Sequence, residues 1–270
     1  EMTGLYSSRR MLLSFLVCIT PSIASAEQWV SGYGAVALTG EQTLSQCLAA
    51  ALQMAKTNAF SKVGRETFSS QQIEICSDTA DIVNCELHQQ TLNDYDGAYI
   101  AGTRNKNVYN TRSECIASLE ADVRVYKSKH DPDFGLAAFI EGSKNKRNGE
   151  VIAVFGEVNK TAYLSLYVWS PSSADNQIQL IFPNQFDKNN RVDGKFQIPS
   201  TVKSRAYQFY AQFPKDQNSS AISEVLFLLA TKSKFKTLET ESFENFYQRL
   251  DELGRENWRL EKIGYTILSE

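Results

Sequence analysis

From Trp29 onward the chain carries two kinds of apolar pattern, one after the other. Leu44, Leu48, Leu52, Ala55, Ala59 and Val63 recur at spacings of four and three, which lays one apolar stripe along an α-helix. Thr39 stands three residues before Gln42, a capping-box start for that helix. Ahead of it, "WVSGYGAVA" reads as an opening strand with glycines where another backbone comes close. Behind it, "GAYIAGTRNKNVYN" and "ECIASLEADVRVYK" read as two antiparallel strands joined around Asn110, Thr111 and Arg112. A helix on a small antiparallel sheet predicts an α+β layer pair.

"SKHDPD", Ser128 to Asp133, is charged, contains proline and lacks apolar periodicity, so it reads as a linker. Past it the pattern shortens to period two. "FGLAAFI", "EVIAVFGEV", "AYLSLYVWS", "IQLIF", "KFQI", "YQFYAQF" and "ISEVLFLLA" are seven short runs separated by turn residues. They predict an antiparallel β-sandwich or barrel. A terminal helix is expected from Ser242, with Phe243, Phe246, Tyr247, Leu250, Leu253 and Trp258 at helical spacing and Gly264 near its end. The expected domains are 27–129 and 134–270, in an α+β chain.

In "IQLIFPNQFDKNNRVDGKFQIPS" two prolines and a glycine frame one polar loop. Ile178, Leu180 and Phe182 share one strand face. Pro183 removes a ladder donor, Asn184 can start a turn by bonding its own following backbone, Gly194 permits unusual dihedrals, and Pro199 ends the strand containing Ile198. Phe182, Pro183, Asn184, Gly194, Ile198 and Pro199 make the stretch from about Phe134 to Ala230 resemble the bacterial domain of unknown function numbered 4384. Ile181 replaces the usual leucine before Phe-Pro-Asn. The resemblance implies a β-sandwich appended to envelope or signalling modules, with no established chemistry. Trp29 to Lys127 more loosely resembles the helix-on-sheet modules of flagellar H-ring and related outer-membrane assembly proteins.

Compartment follows from the first residues. Arg9 and Arg10 precede the apolar "MLLSFLVCIT", and Ala24-Ser25-Ala26 has the small-x-small form of a cleavage site. Residues 1–26 therefore read as a signal peptide, and the mature chain is expected in the periplasm, with association to the outer membrane. Four cysteines remain after the leader: Cys47, Cys76, Cys85 and Cys115. An even number in an exported protein predicts two disulfides with three possible connectivities. The preferred set is Cys76–Cys85, closing a short loop, with Cys47–Cys115 joining distant elements.

With 28 Lys and Arg against 31 Asp and Glu, the net charge is −3. No long basic run appears, so nucleic acid is not an expected partner, and no second apolar stretch is long enough to span a bilayer. Chemistry-bearing patterns are sparse. His130 with Asp131 and Asp133 has metal-ligand residue types, but the same residues make an ordinary charged hinge, which is the reading kept. His88 lacks a partner. Nucleophile-elbow, zincin and phosphate-loop patterns are missing, and Glu239 and Glu241 read as charges at a helix start. Tyr163, Trp169, Tyr207, Phe209 and Tyr210 lie on expected strands, mostly as core, with an outward tyrosine row as the alternative.

The sequence thus predicts a non-catalytic structural or assembly component of a bacterial envelope machine (outer-membrane, flagellar-ring or secretion-type). It would act through contacts with protein partners, without metal or cofactor. The alternative is a periplasmic binding module for a glycan, peptidoglycan fragment or peptide, using the loop from Asn184 to Gly194.

Overall fold

The computed structural model describes residues 29–38, 44–63, 75–79, 82–86, 94–95, 98–170, 177–214 and 221–269, with backbone alone at 75–79, 82–86 and 94–95. The expected leader and the Thr39 cap lie outside these residues. The first part contains β1 (Trp29–Ala37), α1 (Leu44–Ser61), β2 (Ile75–Thr79), β3 (Ile82–Glu86), β4 (Asp94–Tyr95), β5 (Ala98–Asn110) and β6 (Glu114–Val125). Its sheet runs β1-β6-β5-β4, antiparallel throughout. The turn between β5 and β6 is closed by Thr111, whose backbone N–H donates to the Glu114 carbonyl at 2.7 Å.

α1 lies on one face of this sheet, as expected; Ala55 and Ala59 of the expected stripe are at the contact, while Leu48, Leu52 and Val63 pack at its margin. Cys47, Ala51, Ala55, Ala59 and Phe60 are fully buried against Cys115, Ala117, Leu119, Ala121 and Val123, while Leu44 remains 45% exposed. The reason is the glycine pair in β1. A Cβ on Gly32 would stand 2.0 Å from the Ala55 carbonyl oxygen, and one on Gly34 would stand 2.2 Å from that of Ala51. Strand and helix backbones meet almost directly, so only alanines fit between them and the leucines flank the seam. The Cys47–Cys115 disulfide fastens this seam to β6, with Cα atoms 5.7 Å apart. It is the one disulfide among the described residues. The other expected pair falls where side chains are not described; the β2–β3 register sets Cys76 opposite Cys85.

The second part contains β7 (Leu136–Ile140), β8 (Asn145–Arg147), β9 (Val151–Ile152), β10 (Val154–Trp169), β11 (Gln177–Phe182), β12 (Arg191–Ile198), β13 (Phe209–Tyr210), β14 (Ala221–Thr231), β15 (Thr240–Ser242), α2 (Phe243–Leu253) and β16 (Trp258–Leu268). β10 is the spine. Its first half is flanked by β7 and β12, and its second half by β14 and β11. The path continues β15-β11-β10-β14-β16-β8, with β8 parallel to β16 and the other ladders antiparallel. β14 is apolar on both faces because both are covered. Leu226, Leu228 and Ala230 face the core between the strands, while Val225, Phe227 and Leu229 face α2. Among the described residues the chain is therefore mostly β with two α-helices, a loose form of α+β.

Three expected elements differ. From Val154 "EVIAVFGEV" runs on into "AYLSLYVWS" as one strand, since Asn159, Lys160 and Thr161 make a bulge between Val158 and Ala162 in place of a turn. "YQFYAQF" contributes only the two-residue β13, paired with β9. The terminal helix stops at Leu253. Ser242 caps its start, accepting from the Asn245 N–H, and Gly254 ends it with φ 87°. From Trp258 the period changes to two, with Trp258 and Leu260 packing toward α2 while Ile263, Tyr265 and Ile267 face the strand core. Trp258 matched helical spacing because its ring returns to the helix from the strand, its Nε1 donating to the Leu250 carbonyl at 2.9 Å.

The far face of the first sheet meets α2. Tyr99 stacks on Tyr126 at 5.2 Å and on Tyr247 at 6.1 Å, and Tyr126 stands edge-on to Trp258 at 5.5 Å. The Ser128–Asp133 connector is tied down beneath this cluster. Ser128 Oγ accepts from the Arg255 N–H at 2.9 Å and donates to Glu256, and the Arg259 guanidinium donates to the Asp131 carbonyl. Among the described residues no helix is long and apolar enough to cross a membrane.

Candidate interaction surface

The two proline turns of the polar loop meet through one ring pair, Phe186 and Tyr207. Phe182 and Ile198 are core residues at the ends of β11 and β12, and the peptide bonds to Pro183 and Pro199 are both cis. After the first, Asn184 organises a tight turn. Its Oδ1 accepts from the N–H groups of Phe186 and Asp187 at 3.0 Å each, and its Nδ2 donates to the Ile181 carbonyl at 3.0 Å. This is the self-bonding turn that asparagine favours. It turns Phe186 outward, half exposed, and Asp187 inward, where it is buried.

After the second proline the backbone coils for one turn. The N–H groups of Lys203 and Ser204 donate to the Ser200 carbonyl, and those of Ala206 and Tyr207 to the Lys203 carbonyl, at 2.8–3.2 Å. That turn delivers Tyr207 onto Phe186, rings 6.1 Å apart and 18° from parallel, and Phe209 stands edge-on to Tyr207 at 5.4 Å. Tyr207 donates to Asp187 over a long 3.5 Å. Burial, then the Asp187 charge, pushes the phenol up to about 12, so the hydroxyl stays protonated as a donor. Tyr210 and Val151 pair across β13 and β9, both exposed. The result is a ledge of rings fixed from beneath by the two proline turns. Beside it, Asn189, Arg191, Val192 and Asp193 line an open hollow of ≈ 400 Å³.

Gly194 has φ +77° with no atom within 4 Å of a Cβ position, so its role is conformational. It lies opposite Val158, beside the β10 bulge.

Residues 146–222 match the family model of a domain of unknown function, DUF4384. The DUF4384 region runs from the second residue of β8 through β13 to the first two residues of β14, and so includes both proline turns and the whole ledge. No curated protein matches the chain.

The other candidates lie elsewhere. Asp131 faces Lys232 at 2.7 Å and Lys160 at 3.5 Å. The hydrogen bond from Lys232, followed by the Asp133 N–H, holds its carboxyl down at about 2. Among the described residues no group of three or more His, Cys, Asp or Glu could hold a metal ion. Glu241 is no helix-start charge. It is buried on β15, and both carboxylate oxygens accept from Arg249 Nη1 at 2.8 and 2.7 Å, while the guanidinium also lies 4.5 Å from the Phe235 ring. Burial pushes its carboxyl up, and Arg249 pulls it back. Trp169 belongs to the α2 core, and Tyr163 is half-buried on β10. Phe186 was missed in the sequence because it sits alone in a polar loop; the signal available was its position two residues after the Asn184 turn former.

Proposed function

We propose that this protein is a non-catalytic structural or assembly component of a bacterial envelope complex, exported with cleavage after Ala26 and acting in the periplasm through protein–protein contacts. The observation that carries this reading is the ledge itself. Phe186 stays 50% exposed, stacked on Tyr207, although the Asn184 turn beneath it is fixed by three side-chain hydrogen bonds. Exposed aromatics on a rigid base are the composition of an interface hot spot. Photo-crosslinking from position 186 in the native envelope tests it. A discrete cross-linked protein is expected, and recovery of the uncrosslinked chain alone would overturn the reading.

Export also supports a second bridge. The register of Cys76 against Cys85 favours a cross-strand disulfide, and non-reducing peptide mapping should link those two residues. The alternative function, a module for a glycan, peptidoglycan fragment or peptide, draws support from the hollow beside the ledge. A glycan and peptide thermal-shift screen separates the two, since a bound ligand raises the melting temperature by mass action.

A further inference from the structure

The charges around the ledge define what it would hold. The chain as a whole is acidic, at −3, yet the stretch from Asn184 to Tyr210 carries Lys188, Arg191, Lys195, Lys203 and Arg205 against Asp187 and Asp193. None of the five makes an ion pair among the described residues. Of the acids in the same stretch, Asp187 is buried under Tyr207 and only Asp193 is exposed. On β12 Arg191, Asp193 and Lys195 are exposed and Glu157 of β10 lies opposite Lys195, so both signs are present with cations in excess.

The second feature is an open ladder. Among the described residues β12 pairs with β10 alone, over Arg191–Ile198, leaving its outer edge without a strand partner. The Arg191 N–H is capped by Asn189 Oδ1 at 3.3 Å, so the open stretch begins after it. Lysines on an edge often serve to repel another strand. Here Arg191, Val192 and Asp193 at the start of that strand also line the hollow, which a purely guarded edge would not display. A row of main-chain donors and acceptors is complemented only by another polypeptide, and unpaired cations select an acidic one.

We propose that the outer edge of β12, with the Phe186–Tyr207 ledge and the five unpaired cations, receives an acidic segment of a protein partner as an added strand. This rests on the protein-contact reading above and specifies its chemistry. A labelled octapeptide alternating glutamate with valine or tyrosine is the probe, applied to the whole chain. Binding is expected to weaken about tenfold between about 50 and about 300 mM salt, through screening of exposed charges. Lys188→Glu combined with Arg205→Glu should weaken it about tenfold as well, at low salt. Both positions are exposed, so folding should be kept, and far-ultraviolet circular dichroism checks it. Backbone amides of residues 191–198 should exchange more slowly when the peptide is bound.

Equal binding of a peptide with lysine in place of glutamate would overturn the proposal, as would no binding at millimolar peptide. Binding of an anionic oligosaccharide or anionic vesicles without slowed exchange in β12 would also overturn it, in favour of a different occupant. A partner cross-linked from position 186 whose capture ignores both salt and charge reversal would sink this inference while leaving the proposed function standing.

Discussion

Gly32→Ala tests the most demanding contact in the molecule. The added methyl would stand 2.0 Å from the Ala55 carbonyl oxygen, 2.9 Å from its carbonyl carbon and 3.2 Å from the Ala59 Cβ. The first of these is backbone, with no rotamer to move aside. Restoring ordinary contact requires α1 to retreat by about 1.4 Å, which thins the seam along Ala51, Ala55 and Ala59 at the same time. Retreat is opposed by the Cys47–Cys115 bridge, which pins the first turn of the helix to β6. Overpacking of this kind costs about 1–3 kcal/mol, and a backbone clash beside a covalent clamp belongs at the upper end, about 3 kcal/mol. Urea denaturation of the oxidised protein should show a lower midpoint at unchanged slope. Gly102→Ala is the control. Its Cβ would meet only Trp29, at 3.8 Å, so it should stay within about 0.5 kcal/mol of the parent. A Gly32→Ala loss under about 1 kcal/mol, or one matched by Gly102→Ala, would refute the claim that close backbone approach sets the seam.

Three further outcomes are expected. Replacing Cys47 and Cys115 together by alanine opens a loop of sequence separation 68 and should cost about 4 kcal/mol in the same denaturation assay, by the chain-entropy relation. Asp131 has a lowered carboxyl pKa, about 2, so its contribution is present above the unfolded value of about 4 and is lost as pH falls through about 2. Lys232→Met removes the largest cause and should flatten the stability-versus-pH curve across that window. Arg249→Met leaves Glu241 buried without its partner and should cost about 3–5 kcal/mol at neutral pH. A carboxyl whose folded pKa is raised is best accommodated at low pH and loses stability as pH rises through that value. The Arg249→Met deficit should therefore shrink on acidification, and pairing it with Glu241→Gln should recover part of the loss.

Much of the architecture could be read along the chain because local rules and packing agreed. β1, β5, β6, β11 and β14 fall where alternation and turn residues place them, and the glycines of β1 do mark close approach. The helix seam was read in part. Ala55 and Ala59 of the expected stripe are in it, but the close strand–helix approach also brings in Cys47 and Ala51, and Leu48 and Leu52 pack at its margin. Trp258 misled, since its helical spacing from Leu250 arises from tertiary packing of a strand against a helix end. A bulge at Asn159–Thr161 was indistinguishable from a turn, because both use the same polar residues.

The surface was legible only in part. The two proline turns were visible as strand ends, but their convergence depends on β10 holding β11 and β12 along the same side. Nothing in local sequence says that Tyr207 will land on Phe186, twenty-one residues earlier. The buried Glu241–Arg249 pair was hidden because Glu241 and Arg249 lie on different elements, one on a strand and one on the last turns of α2.

The reach of β10 bears on how this module can be handled or inherited. The DUF4384 match ends at Ile222, yet the second half of β10 draws its neighbour from Val225 to Thr231, and that neighbour in turn leans on Trp258 to Leu268. A gene fragment trimmed to 146–222 would thus encode an unfinished sheet with a sticky apolar border, prone to clumping in an expression host. A transplantable cassette has to carry the stretch through Leu268 as well, so recombination that moved the shorter segment alone would have had to supply replacement strands at its destination.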